Sequence, residues 1–504
     1  MSAKTSYALP VATLASAAYL VARLFVWPGI PIVLGSDQAF FWMYGDRMLD
    51  GELPYRDFFQ FTPPGVDLVF LAAFRLFGAS FWVTNAVVVL LGAALGGLCF
   101  RVARALMGLA GAALATSVFV VFVFGQALSA THHFWSVLFV MGAVAALGDG
   151  ERRGSYLLAG GFLGVAAFCT QTHGLAGLVA CLVFAIARSR RRGLAWRESF
   201  ARSGLLLGAF AVKLAILWSY FVAKVGFGVI VACVVTYVWR DMGAAAPGWG
   251  LGLPDALTGE SLRWLAPYLV VYALVPIGLL ASISSTWARR TAPPNDRDDR
   301  ILLLGLVGLA LAIEVSMSLS WIRVFAVAMP GILLAIGRLE EAPRGKEVAF
   351  RTASLLVACV ALIFLRSTYR HHTEILDLPA GRAASEPAKS AEIVWLHENV
   401  PAGSPLFAAD RPQLYLPLGL HNPLYLDAAI PSRQTTPALA QRAVQDLERL
   451  QLRYLVWSDV LDPSNEPGAH AEGLDGVLVL RRYLHAHYHS VHAFEGGDEL
   501  WVRD

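Results

Sequence analysis

Long uncharged stretches recur through the first three quarters of the chain. About 20 residues of helix cross the hydrocarbon core of a bilayer. Residues 105–148 contain no Asp, Glu, Lys or Arg, which is enough for two helices that separate at the polar segment 125–133. Residues 154–187 predict two shorter helices on either side of Thr170. Further spans are expected at residues 7–28, 76–100, 204–222, 264–288, 301–318, 324–337 and 352–365.

This pattern predicts an α-helical polytopic membrane protein with about eleven transmembrane helices. Composition agrees, because 57% of the residues are apolar and 15% are charged, whereas soluble proteins have about 25% charged residues. The first stretch is not a signal peptide, since Arg23 interrupts it. Residues 225–239 are uncharged but short, and we interpret them as an interfacial helix. If they span the membrane, the orientation of everything after them is reversed.

Basic residues predict the orientation. Nineteen Lys and Arg residues lie in alternate gaps between the spans, and cytoplasmic loops are rich in these residues. The N-terminus and these gaps are therefore expected inside, and the C-terminus outside. The residues are Lys4, Arg101, Arg104, Arg152, Arg153, Arg188, Arg190, Arg191, Arg192, Arg197, Arg202, Arg289, Arg290, Arg297, Arg300, Arg338, Arg344, Lys346 and Arg351.

Two outer segments are too long to be turns: the loop 29–79 and the tail after about residue 366. The tail alternates helical and strand-like patterns, which predicts a small α/β domain. Its helices are expected at 386–399 and 436–452, and its strands at 404–408, 453–457 and 498–502. We therefore divide the chain into a transmembrane domain, 1–368, and an extracytoplasmic domain, 369–504.

The first outer loop is acidic and aromatic. Its carboxylates are Asp37, Asp46, Asp50, Glu52 and Asp57, and residues 39–49 suit a helix lying in the membrane interface. Carboxylates just above a bilayer can act as general bases or hold a divalent metal. A solvated acidic loop without either role is the competing interpretation.

The order of motifs in this loop resembles a known family. An outer-loop acid followed by DGELPYRDF at 50–58 and PPG at 63–65 resembles the GT-C superfamily of membrane glycosyltransferases, which includes protein O-mannosyltransferases and lipid A aminoarabinose transferases. The resemblance implies a catalytic acid in the first outer loop. It also implies transfer of a sugar from a polyprenyl-phosphate donor to an acceptor at the outer face of the bacterial cytoplasmic membrane, in the assembly of the cell envelope.

The resemblance continues downstream. Residues 170–174, TQTHG, resemble the turn after the fifth helix of the family, and Arg323 followed by Pro330 resembles an outer turn. The tail segments 401–425 and 453–459 resemble the end domain of uncharacterised bacterial members. Many relatives have Lys where this chain has Gln171, so its contacts to the donor phosphate are expected to differ.

The resemblance and the loop chemistry together give a set of candidate site residues. Asp37 is the expected catalytic base, with Asp57 as the alternative. Arg323 and Arg56 are expected to contact the donor phosphate. The other expected substrate-binding residues are Tyr55, Gln171, His173, His132, His133 and Glu314.

Three of these positions have an open alternative. His132 and His133 either face lipid headgroups or line the acceptor site. Glu314 is an ionisable residue near the end of a span, where function is the default interpretation, but a structural pair with Arg323 is equally compatible. In the tail, the four histidines between 485 and 492 either form a metal-binding strand face or a solvated segment.

The predicted function is an inverting hexosyl- or pentosyltransferase. Its expected partners are a polyprenyl-phosphate sugar donor, a lipid, glycan or protein acceptor, and membrane lipids, with no nucleic acid. A divalent metal is the one cofactor left open. The alternative is a transporter or a flippase for lipid-linked sugars. Transporters usually contain internal repeats and polar groups at the membrane midplane, and this sequence shows no repeat.

Overall fold

A computed structural model describes residues 7–35, 37–150, 152–242, 259–289, 292–317, 319–342, 345–430, 435–458, 461 and 476–504. Four residues used above lie outside these ranges. They are Lys4, Arg290 and Arg344 of the basic gaps, and Asp459 of the tail motif.

Helices dominate the first three quarters of the chain. In order they are α1 (Ala8–Leu24), α2 (Gln38–Leu49), α3 (Gly65–Phe77), α4 (Phe81–Arg104), α5 (Leu109–Ala127, π-helical over Phe119–Phe124), α6 (His132–Gly148), α7 (Arg153–Cys169), α8 (Gln171–Arg191), α9 (Trp196–Val225), α10 (Phe227–Val231, continuing as the π-helical Ala232–Met242), α11 (Gly259–Ala288), α12 (Asp296–Ser316), α13 (Trp321–Ala326), α14 (Met329–Glu341) and α15 (Lys346–His371). A two-stranded pair, β1 (Phe25–Val26) and β2 (Ile30–Pro31), follows α1.

All eleven predicted spans coincide with helices. Six helices within the described ranges are long and apolar enough to cross a membrane: α4, α5, α8, α9, the segment Leu265–Ala288 of α11, and α15. Helices α1, α6 and α7 are shorter apolar helices, and α12 and α14 lie at the two remaining predicted spans. The predicted polytopic helical fold is confirmed. Residues 227–242 are helical, and their interfacial position stays a prediction.

The two polar breaks in the long uncharged runs separate helices as expected. Thr131 is extended before α6, and Thr170 is extended between α7 and α8. The second break turns the chain tightly, because a Cβ atom at Gly174 would lie 2.3 Å from the backbone nitrogen of Ala167. Small residues allow such close approach of helices in membranes. The sequence TQTHG therefore ends one helix and starts the next at a fixed place.

The tail has a small α/β fold, as predicted. Its elements are β3 (Glu374–Leu378), β4 (Gly381–Ser385), α16 (Pro387–Asn399), β5 (Leu406–Ala408), α17 (Tyr415–Leu418), α18 (Pro437–Leu450), β6 (Tyr454–Trp457), α19 (Val477–His487), β7 (Tyr488–Ala493) and β8 (Glu499–Arg503). The sheet order is β5-β6-β8-β7, with β5 and β6 parallel and the other pairs antiparallel. A parallel pair needs a crossover connection, and α18 lies in it. Thr436 caps α18 by accepting a hydrogen bond from the Leu439 N–H.

The sequence did not predict the hairpin β3–β4, the helix α19 or the strand β7. The chain also divides into two compact units, and one limit between them, at 369/370, lies one residue from the predicted boundary at 368/369. Unit 1 consists of Met1–Leu24, Val87–Ser219 and Pro247–Tyr369. Unit 2 consists of Phe25–Ala86, Tyr220–Ala246 and Arg370–Asp504, so it contains both the first outer loop and the tail.

Helix α2 is the predicted interfacial helix. It forms where expected, but nine of its twelve residues are buried inside the protein. A Cβ atom at Gly45 would lie 2.8 Å from the Cβ of Phe70, so glycine lets α2 pack directly on α3. The apolar positions of α2 therefore serve protein packing.

Candidate functional site

Unit 1 contains a buried polar cluster built from the first turns of α6 and α8. The Thr170 hydroxyl donates a 3.0 Å hydrogen bond to the carbonyl of His132 and so joins the two turns. The rings of His132 and His133 lie 3.9 Å apart, and those of His133 and His173 lie 5.1 Å apart. Three predicted site residues, His132, His133 and His173, are thus brought together.

His173 lies at the centre of this cluster and is fully buried. Its Nδ1 atom lies 2.7 Å from the hydroxyl of Ser136, and its Nε2 atom lies 3.1 Å from Oε2 of Glu314. The hydroxyl of Ser136 donates a 2.8 Å hydrogen bond to the carbonyl of His133. The sequence left open a structural pair between Glu314 and Arg323. In the structure, Glu314 also contacts His173.

Arg323 lies on the short helix α13 and is half-buried. Its guanidinium interacts electrostatically with His132, His133 and Glu314. The N-termini of α6 and α8 add positive partial charge from their unpaired N–H groups. Beside the carboxylate of Glu314, this cluster therefore presents a guanidinium and two helix N-termini, which are groups that bind anions.

Two further observations concern this cluster. His133 is 5% exposed, and within the described part of the chain its Nδ1 atom has no hydrogen-bond partner. Gln171 is the first residue of α8 and is half-buried. Because buried polar atoms normally have partners, an unpaired imidazole nitrogen in this polar cluster indicates a position for a ligand atom.

Unit 2 contains the predicted acids, and their surroundings differ. Asp37 directly precedes α2 and its side chain is exposed. The carboxylate of Asp57 is bound on two sides: the side chain of Arg56 donates to it at 2.6 Å, and the Leu53 N–H donates at 2.8 Å. The hydrogen bond from Arg56 lowers the pKa of Asp57.

The neighbouring residues Tyr55 and Arg56 also differ in their exposure to solvent. Tyr55 is 1% exposed, has a φ of 70°, and donates from its hydroxyl to the carbonyl of Thr62 at 2.7 Å. Arg56 is exposed and pairs with Asp57. Within unit 2 the segment 55–57 therefore forms a fixed turn around Asp57, and Asp37 is the more accessible acid of the two.

A second set of buried charges in unit 2 was not predicted. Arg47 is 3% exposed; it pairs with Glu52 and donates to the carbonyl of Leu424 at 3.0 Å. The hydroxyl of Tyr44 donates a short hydrogen bond to Asp427. Burial raises the pKa of Asp427 to about 6, although the bond from Tyr44 opposes the rise. These contacts tie α2 to residues 424–427 within the same unit.

Asp67 is the remaining buried acid of the first outer segment. Gln60 donates a 2.8 Å hydrogen bond to it. Burial raises the pKa of Asp67 to about 8, even though the bond from Gln60 lowers it. Asp67 is therefore largely protonated at neutral pH.

The structure also bears on metal binding. Among the described residues, no group of three or more His, Cys, Asp or Glu side chains is arranged to hold a metal ion. The four tail histidines are not on one strand face: His485 and His487 end α19, whereas His489 and His492 lie on β7. His492 stacks on Trp395 at 4.0 Å, and His489 lies 2.7 Å from Asp504.

Sequence reasoning missed Ser136, Tyr44, Arg47, Asp67 and Asp427. Ser136 follows His133 by three residues and so lies one helical turn away, which is a usable signal. The link between Tyr44 and Asp427 joins residues that are far apart in sequence, and no local pattern predicts it.

Comparison with known proteins identifies solved structures that share the fold of this chain. No protein-family model and no curated protein matches the chain. The structure of ArnT from Cupriavidus metallidurans bound to undecaprenyl phosphate matches 99% of this chain and 97% of its own, with a TM-score of 0.59 and 16% identity. AglB, the oligosaccharyltransferase of Archaeoglobus fulgidus, in complex with an inhibitory peptide and a dolichol-phosphate, matches 100% of this chain and 75% of its own, with a TM-score of 0.53 and 13% identity. At these identities the likeness concerns the fold. The chain therefore shares its fold with these two solved structures, ArnT and AglB.

Proposed function

We propose that this protein is a membrane glycosyltransferase that transfers a sugar from a polyprenyl-phosphate-linked donor to an acceptor at the outer face of the cytoplasmic membrane. The observation that carries the proposal is the polar cluster of unit 1, which combines the guanidinium of Arg323, three imidazoles, the carboxylate of Glu314 and two helix N-termini. An anion inside a helical membrane domain needs such partners.

The donor phosphate is the anion that fits this cluster. Both solved structures with this fold that were described above contain a polyprenyl or dolichyl phosphate. In the proposed complex, Arg323 binds the phosphate oxygens, and His133 and Gln171 supply further hydrogen-bond donors. These groups would stabilise the negative charge that grows on the phosphate as the glycosidic bond breaks.

Asp37 is the proposed general base. The acceptor hydroxyl or amine must lose its proton as it attacks the anomeric carbon, and a carboxylate can accept that proton. Asp37 is exposed, whereas Asp57 is held by Arg56 and Leu53. A direct attack on the face opposite the phosphate would invert the anomeric centre. The sugar itself, a hexose or a pentose, is not specified by these contacts.

A transporter or flippase is the weaker proposal. His132 and His133 lie at the start of α6 and His173 lies in the first turn of α8, rather than along the middle of a helix.

We also propose that the tail faces the periplasm or cell exterior, because the basic gaps predict a cytoplasmic N-terminus and eleven spans. A reporter that is active only in the cytoplasm should be silent when fused after Asp504 and active when inserted after Gly193. Activity after Asp504 would reverse the predicted orientation.

The function is tested by sugar transfer. Purified protein should release polyprenyl phosphate from a labelled polyprenyl-phosphate sugar only when an acceptor fraction from the membrane is present. Lipid extracts of cells lacking the protein should accumulate the natural donor, whose mass identifies the sugar. Movement of intact donor across proteoliposome membranes without release of polyprenyl phosphate would instead support the flippase.

A further inference from the structure

A large cavity of unit 1 follows the first turns of helices α1, α5 and α15. Its volume is about 1250 Å³, and it is lined from residues 7–19, 109–121 and 350–361. A helix rises 1.5 Å per residue, so stretches of about 12 residues make the cavity about 18 Å long. The hydrocarbon core of a bilayer is about 30 Å thick. The cavity therefore covers the depth of one leaflet.

The far end of the cavity is bounded by direct contact between α1 and α15. The Nε atom of Arg23 donates a 3.2 Å hydrogen bond to the hydroxyl of Thr368, and its guanidinium lies 4.8 Å from the centre of the Phe364 ring. One turn earlier on α1, Tyr19 lines the cavity and accepts a 3.3 Å hydrogen bond from Arg23. A ligand therefore enters from the end at which the three helices begin.

The walls of the cavity are apolar and rich in small residues. Pairs of alanines line it from each of the three helices: Ala12, Ala15, Ala110, Ala113, Ala358 and Ala361. Two hydroxyl groups of the lining, those of Ser16 and Thr116, donate to backbone carbonyls of their own helices at 2.8 Å. Alanine often lets membrane helices pack closely, but here it leaves space beside the helices. Such walls suit a hydrocarbon chain.

The near end of the cavity carries exposed positive charge. Arg351 lines the cavity, and Lys346 is exposed at the start of α15. Arg351 lies 3.9 Å from Glu347, but their side chains are 85% and 81% exposed, so this pair contributes little. A second acid, Glu340, accepts hydrogen bonds from the Gly108 N–H just before α5. An anionic group at this end therefore meets the side chain of Arg351.

We propose that this cavity binds one phospholipid with an anionic headgroup. Its acyl chains lie along α1, α5 and α15, and its phosphate contacts Arg351. The cytoplasmic leaflet has a negative surface potential that attracts basic residues, and the basic gaps between the spans are proposed to face that leaflet. The lipid occupies space that the three helices leave unfilled, so it belongs to the packing of unit 1. This inference does not depend on sugar transfer.

The polyprenyl chain of the donor is the competing hydrocarbon ligand, but its proposed phosphate site lies elsewhere in unit 1. The cavity begins at Leu109, the first residue of α5, whereas His132 and His133 follow the end of that helix. The 19 residues of α5 are about 28 Å long. A phosphate at the histidine cluster is therefore far from Arg351. A lipid whose headgroup contacts Arg351 is distinct from the donor.

The first test measures the lipid that the purified full-length protein retains. Native mass spectrometry of protein extracted in a mild detergent should show one bound phospholipid. The double variant Ala113→Trp with Ala358→Trp places two large side chains in the cavity and should abolish this retention. Both alanines are exposed, so the new rings do not crowd packed helices. The matched control, Ala211→Trp with Ala215→Trp on the exposed face of α9, should retain the lipid.

The second test concerns the headgroup and uses single variants. Delipidated protein is incubated with equal amounts of phosphatidylglycerol and phosphatidylcholine that carry the same acyl chains. The wild-type protein should bind phosphatidylglycerol in preference. Arg351→Gln should lower that preference about fivefold, the contribution of one basic residue near a membrane surface. Arg197→Gln, at an exposed position at the start of α9, should leave the preference unchanged.

Several outcomes would overturn the proposal. They are a wild-type protein without bound phospholipid, equal retention in the cavity variant and the wild-type, and a polyprenyl phosphate or a second copy of the chain in place of the phospholipid. An unchanged preference in Arg351→Gln would overturn the contact between the phosphate and this arginine. Loss of phospholipid in the cavity variant, retention in the α9 control and a weaker preference in Arg351→Gln would together support it.

Discussion

In unit 1 the imidazole of His173 is buried and contacts Ser136 and Glu314, whereas in unit 2 the carboxylate of Asp37 is exposed beside the first turn of α2. The two residues belong to the same proposed reaction but have opposite surroundings. A group that stabilises developing charge works best when fixed and shielded from water. A base that takes the proton of the incoming acceptor must be accessible to that acceptor.

Asp57 is the other candidate base of unit 2, and its carboxylate is less exposed than that of Asp37. Asp57 matches the motifs of the family as well as Asp37 does. Its carboxylate, however, accepts hydrogen bonds from Arg56 and from the Leu53 N–H. Those bonds stabilise the turn 53–57 and occupy the oxygens that a base would use. In the proposed reaction we therefore expect catalysis from Asp37, binding of the donor by the unit 1 cluster, and a structural role for Asp57.

The largest expected effect comes from Asp37→Asn. Asparagine keeps the shape of the side chain but cannot take the proton that the acceptor hydroxyl or amine loses. The kcat should therefore fall by roughly 10²–10⁴-fold. The measurement is sugar transfer by purified protein with a polyprenyl-phosphate donor. Asp57→Asn is the matched control and should retain most of the turnover. Near-normal turnover in Asp37→Asn beside an inactive Asp57→Asn would exchange the two roles.

Arg323→Ala is expected to have the next largest effect. A hydrogen bond to a charged group contributes about 1.5–3 kcal/mol, so donor affinity should fall roughly 10- to 100-fold. Arg323→Lys should recover only part of it, because an ammonium lacks the bidentate fork. Binding is measured with a fluorescent polyprenyl phosphate. Full affinity in Arg323→Ala would move the phosphate contacts to Gln171 and His173.

Much of the fold could be predicted from the sequence, because each span is encoded locally. Uncharged runs gave all eleven helices, and the polar breaks before His132 and at Thr170 were visible as interruptions. The division into units could not be predicted. It depends on contacts between distant segments, such as the hydrogen bond from Arg47 to the carbonyl of Leu424.

The candidate site was predicted in part. The motif around Gln171 and His173 and the pair His132–His133 have locally unusual polarity, and the structure brings the three histidines together. Ser136 was missed because a serine within an apolar helix commonly bonds its own backbone. Its second contact, to His173, depends on how α6 packs against α8.

A smaller effect, on stability alone, is expected for Tyr44→Phe. The change removes the donor to Asp427, which is 4% exposed. Leaving a buried acceptor unsatisfied costs about 1–3 kcal/mol of unfolding free energy. Denaturation in detergent should show this loss, whereas Tyr369→Phe, at an exposed position, should show none. Normal stability together with lost turnover would mean that Tyr44 belongs to the catalytic machinery instead.

The smallest effect, and the sharpest check on the role given to Asp57, is the pH dependence of its contribution to stability. The hydrogen bond from Arg56 lowers the pKa of Asp57 in the folded protein, so the folded state binds a proton less readily than the unfolded state. This stabilisation is complete above the unfolded pKa of about 3.9 and is lost as the pH falls through the folded pKa. Asp57→Asn should therefore lower the unfolding free energy only slightly at pH 7, because the pair with Arg56 is exposed to solvent, with the difference shrinking towards pH 3. Asp37→Asn, at an exposed position, should stay within about 0.5 kcal/mol of the wild-type at every pH. A pH-dependent loss in Asp37→Asn and none in Asp57→Asn would show that the two acids have been assigned the wrong way round.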